Sequence, residues 1–215
     1  MTPHHASETT LALCHMAPVI PVLVIHDPAH ARPLAQALVA GGLPVLEVTL
    51  RTPAALEVIA EMGHIAGAVV GAGTVLSPAD VRAVKAAGAA FAVSPGATDR
   101  LLAACEDSGL ALLPGAATTT EAMALLERGY TTQKFFPAEI AGGAAALRAL
   151  SSPLPQITFC PTGGIGPGNA ADYLSLPNVV CVGGSWVAPS AMIASGDWAG
   201  ITALARAAAS LPRSP

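Results

Sequence analysis

Between Ala68 and Ser94 the chain reads AVVGAGTVLSPADVRAVKAAGAAFAVS. It opens with a short run of small and β-branched residues ending at Thr74, the composition of a strand buried on both faces. Ser77-Pro78-Ala79-Asp80 follows, placing a capping hydroxyl ahead of a proline that suits the first helical position. Ala79–Ala87 then spaces its valines as a helix does and stops at Gly88. A second apolar run, Phe91–Ser94, begins almost at once. One strand, turn and helix therefore lead directly into the next strand.

Working outward, the same unit recurs along the chain. Strands are expected at Val19–Ile25, Val45–Leu50, Ala68–Thr74, Phe91–Ser94, Ala111–Pro114, Thr132–Phe136, Ile157–Pro161 and Val179–Gly183. Thr118 and Glu121 have capping-box spacing, and Gly109 and Gly129 stand where helices should end. Alternating strands and helices imply parallel pairing with right-handed crossovers. Eight units predict an α/β fold of (β/α)8 TIM-barrel type, a single domain over residues 1–215 with an extra N-terminal helix at about 6–16 and the barrel at about 18–211. An open doubly wound sheet is the alternative, disfavoured because no dinucleotide fingerprint follows the first strand. Pro21 inside the first strand and Pro33 inside the first helix conflict locally with the pattern.

Composition narrows the function. Of 215 residues 53% are hydrophobic and 11% charged, against about 25% charged in ordinary soluble domains. A net charge of −4 with scattered Lys and Arg gives no basic patch for nucleic acid. Pro and Gly break the long uncharged stretches 151–171 and 173–196, so no transmembrane helix is expected. No Lys or Arg precedes Arg32, which argues against an export signal and for the cytoplasm. Cys14, Cys105, Cys160 and Cys181 lack C-x-x-C spacing and read as reduced, mostly buried thiols. All six histidines lie in the first third, and no strand end offers a His/Asp cluster, so neither a metal nor another cofactor is expected.

In a barrel of this kind the chemistry gathers at the carboxyl ends of the strands. Alternation in Val45–Arg51 puts Glu47 and Arg51 on the face opposite Leu46, Val48 and Leu50, toward the interior. Lys134 lies in the aromatic strand Thr132–Phe136, whereas Lys85, the chain's other lysine, lies on a helix and reads as a surface charge. A lysine removed from water favours its neutral, nucleophilic amine, which makes Lys134 a Schiff-base candidate beside an acid/base carboxylate at Glu47. A purely structural ion pair between the two is the other reading. Gln133, beside Lys134, would then face the helix layer. The turns Thr162–Gly168 and Gly183–Trp186, after the seventh and eighth strands, have the glycines that let backbone N–H groups approach a phosphate, with a short helix expected after Pro189.

The blocks VLEVTLRT (45–52), GAGTV (71–75), SPG (94–96), KFFPAE (134–139), CPTGGI (160–165) and GGSW (183–186), in this order, resemble the KDPG/KHG class I aldolase family from about Pro18 to Pro189. The resemblance implies a cofactor-free, homotrimeric aldolase of the Entner–Doudoroff pathway acting on 2-keto-3-deoxy-6-phosphogluconate (KDPG), and in relatives on 4-hydroxy-2-oxoglutarate. It assigns Lys134 to the imine and Glu47 to proton transfer. Arg51 and Thr74 would hold the substrate carboxylate, and Pro95 and Phe136 would shape that end of the pocket. Thr162 would contact the C4 hydroxyl, with Gly163, Gly164, Gly184 and Ser185 around the phosphate. Gly166 departs from the hydroxyl residue common in relatives. Two other readings compete: a metal-dependent phosphosugar epimerase or lyase, and a phosphate-ligand barrel without catalysis.

Overall fold

The computed structural model describes residues 1–214. In chain order the elements are α1 (Pro3–His15), β1 (Val19–Leu23), α2 (Ala31–Ala40), β2 (Val45–Thr49), α3 (Ala55–Met62), β3 (Val69–Gly73), α4 (Pro78–Ala86), β4 (Phe91–Val93), α5 (Asp99–Ser108), β5 (Ala111–Leu113) and β6 (Gly115–Ala116). The second part continues with α6 (Thr119–Arg128), β7 (Thr132–Phe135), α7 (Gly143–Leu150), β8 (Thr158–Pro161), α8 (Ala170–Leu174), β9 (Val182–Gly184), α9 (Ser190–Ser195) and α10 (Trp198–Ala209). The unit read from Ala68 to Ser94 is β3, α4 and β4. Ser77 caps α4 by accepting from the Asp80 N–H at 3.2 Å, and Pro78 occupies its first turn, where no intrahelical acceptor exists.

All strand pairs are parallel. Six strands form a curled sheet in the order β5-β4-β3-β2-β1-β9, and three form a second in the order β6-β7-β8. The expected strand Ala111–Pro114 is divided: β5 and β6 flank Pro114, which has no N–H to give to a ladder. The Pro114 carbonyl still accepts from the Lys134 N–H at 2.8 Å. On the other side, isolated parallel bridges join Phe159 of β8 to Val179 ahead of β9, and Thr162 just past β8 to Gly183 of β9.

The two proline conflicts have simple resolutions. Pro21 pairs with Gly184 in the β1–β9 register, and Pro33 falls in the first turn of α2, where its missing N–H costs nothing. The N-terminal helix is present but starts earlier than expected, with Thr2 as its cap and Pro3 in its first turn. It packs on β5 and β7, and Ser7 ties it there by accepting from the Thr131 N–H at 3.0 Å and the Thr132 hydroxyl at 3.1 Å.

Burial divides into two clusters. The larger lies between strands and helices and holds Leu46 and Val48 of β2. The smaller holds Val45 of the same strand together with Ile20, Phe91, Val93, Leu113 and Cys160, within the curl of the strands. This alternation on β2 sends Glu47 to the inner side with Val45, as the sequence pattern requires. Gln133, facing the helices, is fully buried and donates its amide N–H groups to the carbonyls of Ala122 at 3.0 Å and Tyr130 at 2.9 Å, while its Oε1 has no partner. Among the described residues, no helix is long and apolar enough to cross a membrane.

Candidate active site

Glu47 on β2 and Lys134 on β7 belong to different sheets and are 87 residues apart, yet Nζ lies 3.3 Å from the Glu47 Oε1. The two residues are only 3% and 5% exposed. They meet across the interior because the strands curl, bringing the inner faces of β2 and β7 opposite one another. An ion pair this dry suffers a desolvation penalty that weighs against its Coulomb attraction, so stability alone is a weak reason to keep it. The Phe136 ring centroid lies 5.2 Å from Nζ, within cation–π range.

Glycine makes room for the carboxylate. Gly73, at the end of β3, pairs with Thr49 of β2, and a Cβ there would overlap the Glu47 Oε1 and lie 2.7 Å from its Cγ. Thr49 itself turns its hydroxyl to the Leu23 carbonyl at 2.8 Å. Gly183 serves the same purpose on the other side, since a Cβ there would overlap the Thr162 hydroxyl. That hydroxyl is buried and has no hydrogen-bond partner, an expensive condition that a bound ligand would relieve.

Beside the pair opens a cavity of about 650 Å³. Arg51, Phe136, Thr162, Gly163, Gly164, Gly184 and Ser185 all line it. Lys134 and Glu47 do not line it and sit behind, with Phe136 shared between cavity and amine. Thr74 and Pro95 are half-buried just past the ends of β3 and β4 and do not line it either. Thr74 has φ 61°, a left-handed conformation uncommon for a β-branched residue, at the carboxyl end of a strand. Arg51 was expected on the interior face of β2; it is exposed at the cavity. The β2 ladder ends at Thr49, the Arg51 N–H turns back to the Thr49 carbonyl at 2.8 Å, and the side chain lines the cavity.

The glycine loop after β8 is held by contacts that composition did not reveal. Asn169 accepts from the Gly166 N–H at 2.8 Å and donates to the Gly164 carbonyl at 3.1 Å. The Gly166 amide is therefore engaged within its own loop, and Gly166 does not line the cavity. From the strand β7 side, the Ala138 and Glu139 N–H groups donate to the carbonyls of Thr162 and Gly163 at 2.8 and 3.1 Å. The helix expected after Pro189 is α9, and Pro189 and Ser190 reach the cavity.

Among the lining residues with no assigned role from the sequence are Glu139, Ile140 and Trp186. Glu139 accepts a short hydrogen bond from the Tyr173 hydroxyl. Burial, then the Glu139 carboxylate, push that hydroxyl above the ordinary phenol range, so it remains a donor. The block Lys134–Glu139 marked this carboxylate as part of a motif, but only the turn after β7 reveals which loop it touches. Among the described residues, the one group of three His, Cys, Asp or Glu close enough to share a metal ion is Cys14, Cys160 and Cys181, away from this cavity.

Comparison with known proteins adds an independent line. Residues 11–204 match the family model described as KDPG and KHG aldolase. The 2-dehydro-3-deoxy-phosphogluconate aldolase of Pseudoalteromonas atlantica is 55% identical over 192 residues, 89% of either chain. The crystal structure of the 2-keto-3-deoxy-6-phosphogluconate aldolase of Zymomonas mobilis with 3-phosphoglycerate superposes with a TM-score of 0.89 at 51% identity, covering 94% of this chain and 95% of that one. The KDPG aldolase of Legionella pneumophila, with pyruvate captured as a covalent carbinolamine, gives a TM-score of 0.90 at 49% identity, covering 93% of this chain and 98% of that one.

Proposed function

This chain belongs to the KDPG and KHG aldolase family, and from that premise we propose that it is a carbon–carbon lyase cleaving KDPG to pyruvate and glyceraldehyde 3-phosphate through an imine on Lys134. The observation that carries the reading is the dry Lys134–Glu47 contact behind a cavity ringed by glycine turns. The Legionella relative's carbinolamine with pyruvate supports the same chemistry. The family description, which includes KHG, supports 4-hydroxy-2-oxoglutarate as a second substrate.

In the proposed cycle Glu47 takes a proton from the Lys134 ammonium, and the freed amine attacks the substrate keto carbon to give a carbinolamine. Loss of the former keto oxygen as water leaves an iminium, whose positive charge draws electrons from the C3–C4 bond. Glu47, through a water, removes the C4 hydroxyl proton as that bond breaks and the aldehyde forms. The bonding pair becomes the enamine, which is reprotonated at C3, and hydrolysis frees pyruvate and the amine. Arg51 and Thr74 hold the carboxylate, Pro95 and Phe136 shape its surroundings, and the unpartnered Thr162 hydroxyl meets the C4 hydroxyl. Gly163, Gly164, Gly184 and Ser185 receive the phosphate. No step calls for a metal or other cofactor.

The two sheets are one closed eight-stranded TIM barrel, a reading supported by the single-residue break at Pro114 and by the parallel bridges Phe159 to Val179 and Thr162 to Gly183. The chain is one domain and acts as a homotrimer in the cytoplasm, within the Entner–Doudoroff pathway. Exposed Leu76, Met123 and Ile140 support an apolar subunit contact, and four free cysteines suit a reducing compartment. The test is borohydride reduction in the presence of pyruvate followed by peptide mass mapping. A reduced pyruvyl adduct on Lys134, absent in an inactive Lys134→Ala variant, is expected. An adduct elsewhere, or a variant that cleaves KDPG at a near-normal rate, overturns the mechanism.

A further inference from the structure

Three cysteines that the proposed cycle does not use converge inside the molecule. Cys14 comes from α1, Cys160 from β8 and Cys181 from the residue before β9. Their Sγ atoms lie within 4.8 Å of one another, with Cys181 and Cys160 at 3.4 Å. None is more than 2% exposed, and no disulfide joins them. The walls are mostly apolar, with Ile20, Val45, Phe91, Leu113 and Val180 in the same cluster, and the mutually neutralising Lys134–Glu47 pair lies on the same inward side. Cys160 is the register partner of Lys134 across β7 and β8 and so shares its inward face.

The chemistry of this cage selects its occupant. Thiolate bonds of about 2.3 Å to a shared centre hold sulfurs roughly 3.5–4 Å apart, close to the spacing already present. Thiolates favour soft centres. Three donors with no fourth from His, Asp or Glu fit a three-coordinate centre better than a closed tetrahedral one. Charge then discriminates further. Three thiolates around a divalent ion carry one net negative charge and around a monovalent ion two, and a net charge is costly among these apolar walls. A trivalent centre leaves none.

We propose that Cys14, Cys160 and Cys181 form a three-coordinate site for a trivalent thiophilic metalloid, with arsenic(III) as the ligand. Arsenous acid enters neutral. Three arsenic–oxygen bonds break and three arsenic–sulfur bonds form, each thiol proton leaving with a hydroxide as water, and the oxidation state is unchanged. Because Cys14 rides on α1, entry requires that helix to lift from the strands, and occupancy then fastens it to β8 and the β9 approach. Binding is therefore slow and raises thermal stability by mass action.

The test uses the full chain with arsenite, in a phosphine reductant free of competing thiols, both as folded protein over long incubation and refolded from denaturant with arsenite present. After removal of excess, the expected product has one arsenic per chain, a mass gain of one arsenic less three hydrogens, and an arsenic absorption spectrum with three sulfur neighbours and no oxygen. Its Tm is raised. Cys14→Ser, Cys160→Ala and Cys181→Ala should each lose the three-sulfur signature, while Cys105→Ala keeps it. Cys14→Ser, on the helix rather than in a strand, guards against a loss caused by misfolding, since its Tm without arsenite is measured alongside. No adduct after refolding, an adduct that retains a hydroxide, or an unchanged signature in any of the three variants overturns the proposal. The Lys134 adduct is scored separately with pyruvate, so failure here leaves the aldolase reading standing.

Discussion

Gly73→Ala tests whether the Glu47 carboxylate is held where proton transfer needs it. The added Cβ would overlap Oε1 and stand 2.7 Å from Cγ, whereas ordinary contact begins at 3.4 Å, so the side chain must retreat by at least about 0.7 Å. At 3% exposure it has no solvent to swing into. Its 3.3 Å contact with Lys134 is already near the limit for a hydrogen bond, so a shift of this size breaks it. Misplacement of a reacting group by about 1 Å costs on the order of 10²-fold in rate, and loss of the acid/base function altogether about 10²–10⁴-fold. Stability responds less: overpacking costs about 1–3 kcal/mol, offset by about 0.4–1 kcal/mol because alanine restricts the unfolded chain more than glycine. The net, between about 0 and 2.6 kcal/mol, lowers Tm by at most about 10 °C for a chain of this length. The assay is exchange of pyruvate methyl protons with solvent deuterium, followed by NMR, with borohydride trapping and thermal melts in parallel. Exchange should fall by about 10²-fold or more while the variant remains folded. A folded Gly73→Ala protein with undiminished exchange would refute the claim that the position of this carboxylate governs the reaction.

Glu47→Gln is expected to form the pyruvate imine slowly and to lose about 10²–10⁴-fold in methyl-proton exchange; full exchange would remove Glu47 from proton transfer. Thr162→Val removes a buried hydroxyl that has no partner. Such a group costs about 1–3 kcal/mol when left unsatisfied, so Tm should hold or rise while KM for KDPG increases and discrimination against the C4 epimer weakens, and steady-state kinetics with both epimers decides it. Thr118→Ala opens the capping box of α6, in which Thr118 accepts from the Glu121 N–H and Glu121 accepts from Ala117 and Thr118. The expected loss is about 0.5–2 kcal/mol by denaturant titration. The Ala117 N–H foremost, with Thr118 assisting, holds the Glu121 carboxyl below its ordinary range. The cap's contribution is thus complete above that range and fades as pH falls through the lowered value, so the difference between wild type and Glu121→Gln should shrink in acid. A difference that persists unchanged at low pH would contradict the sign.

The repeating strand–helix unit was legible because it is written locally: Ser77 and Pro78 start a helix, and the valines around it have the spacing of buried faces. Lys134 and Glu47 were legible for a related reason. A charged residue in an otherwise apolar strand must point somewhere, and the period of two fixes that direction as opposite to Leu46 and Val48. Alternation holds only while the ladder lasts, however, and β2 ends at Thr49, so Arg51 left the expected line for the cavity. The sequence also showed that glycine turns follow the last strands, but Asn169 as their brace and Glu139 as their neighbour emerge only from the folded turns. The three cysteines are the strongest case. Spaced far apart, they carry no local motif, and their meeting depends on α1 docking against strands from the opposite half of the chain. Sequence determined what each segment would form and which face it would bury, since those follow from nearest neighbours. Tertiary structure alone decided which remote side chains share one small volume, because such distances are set by how strands curl and helices dock.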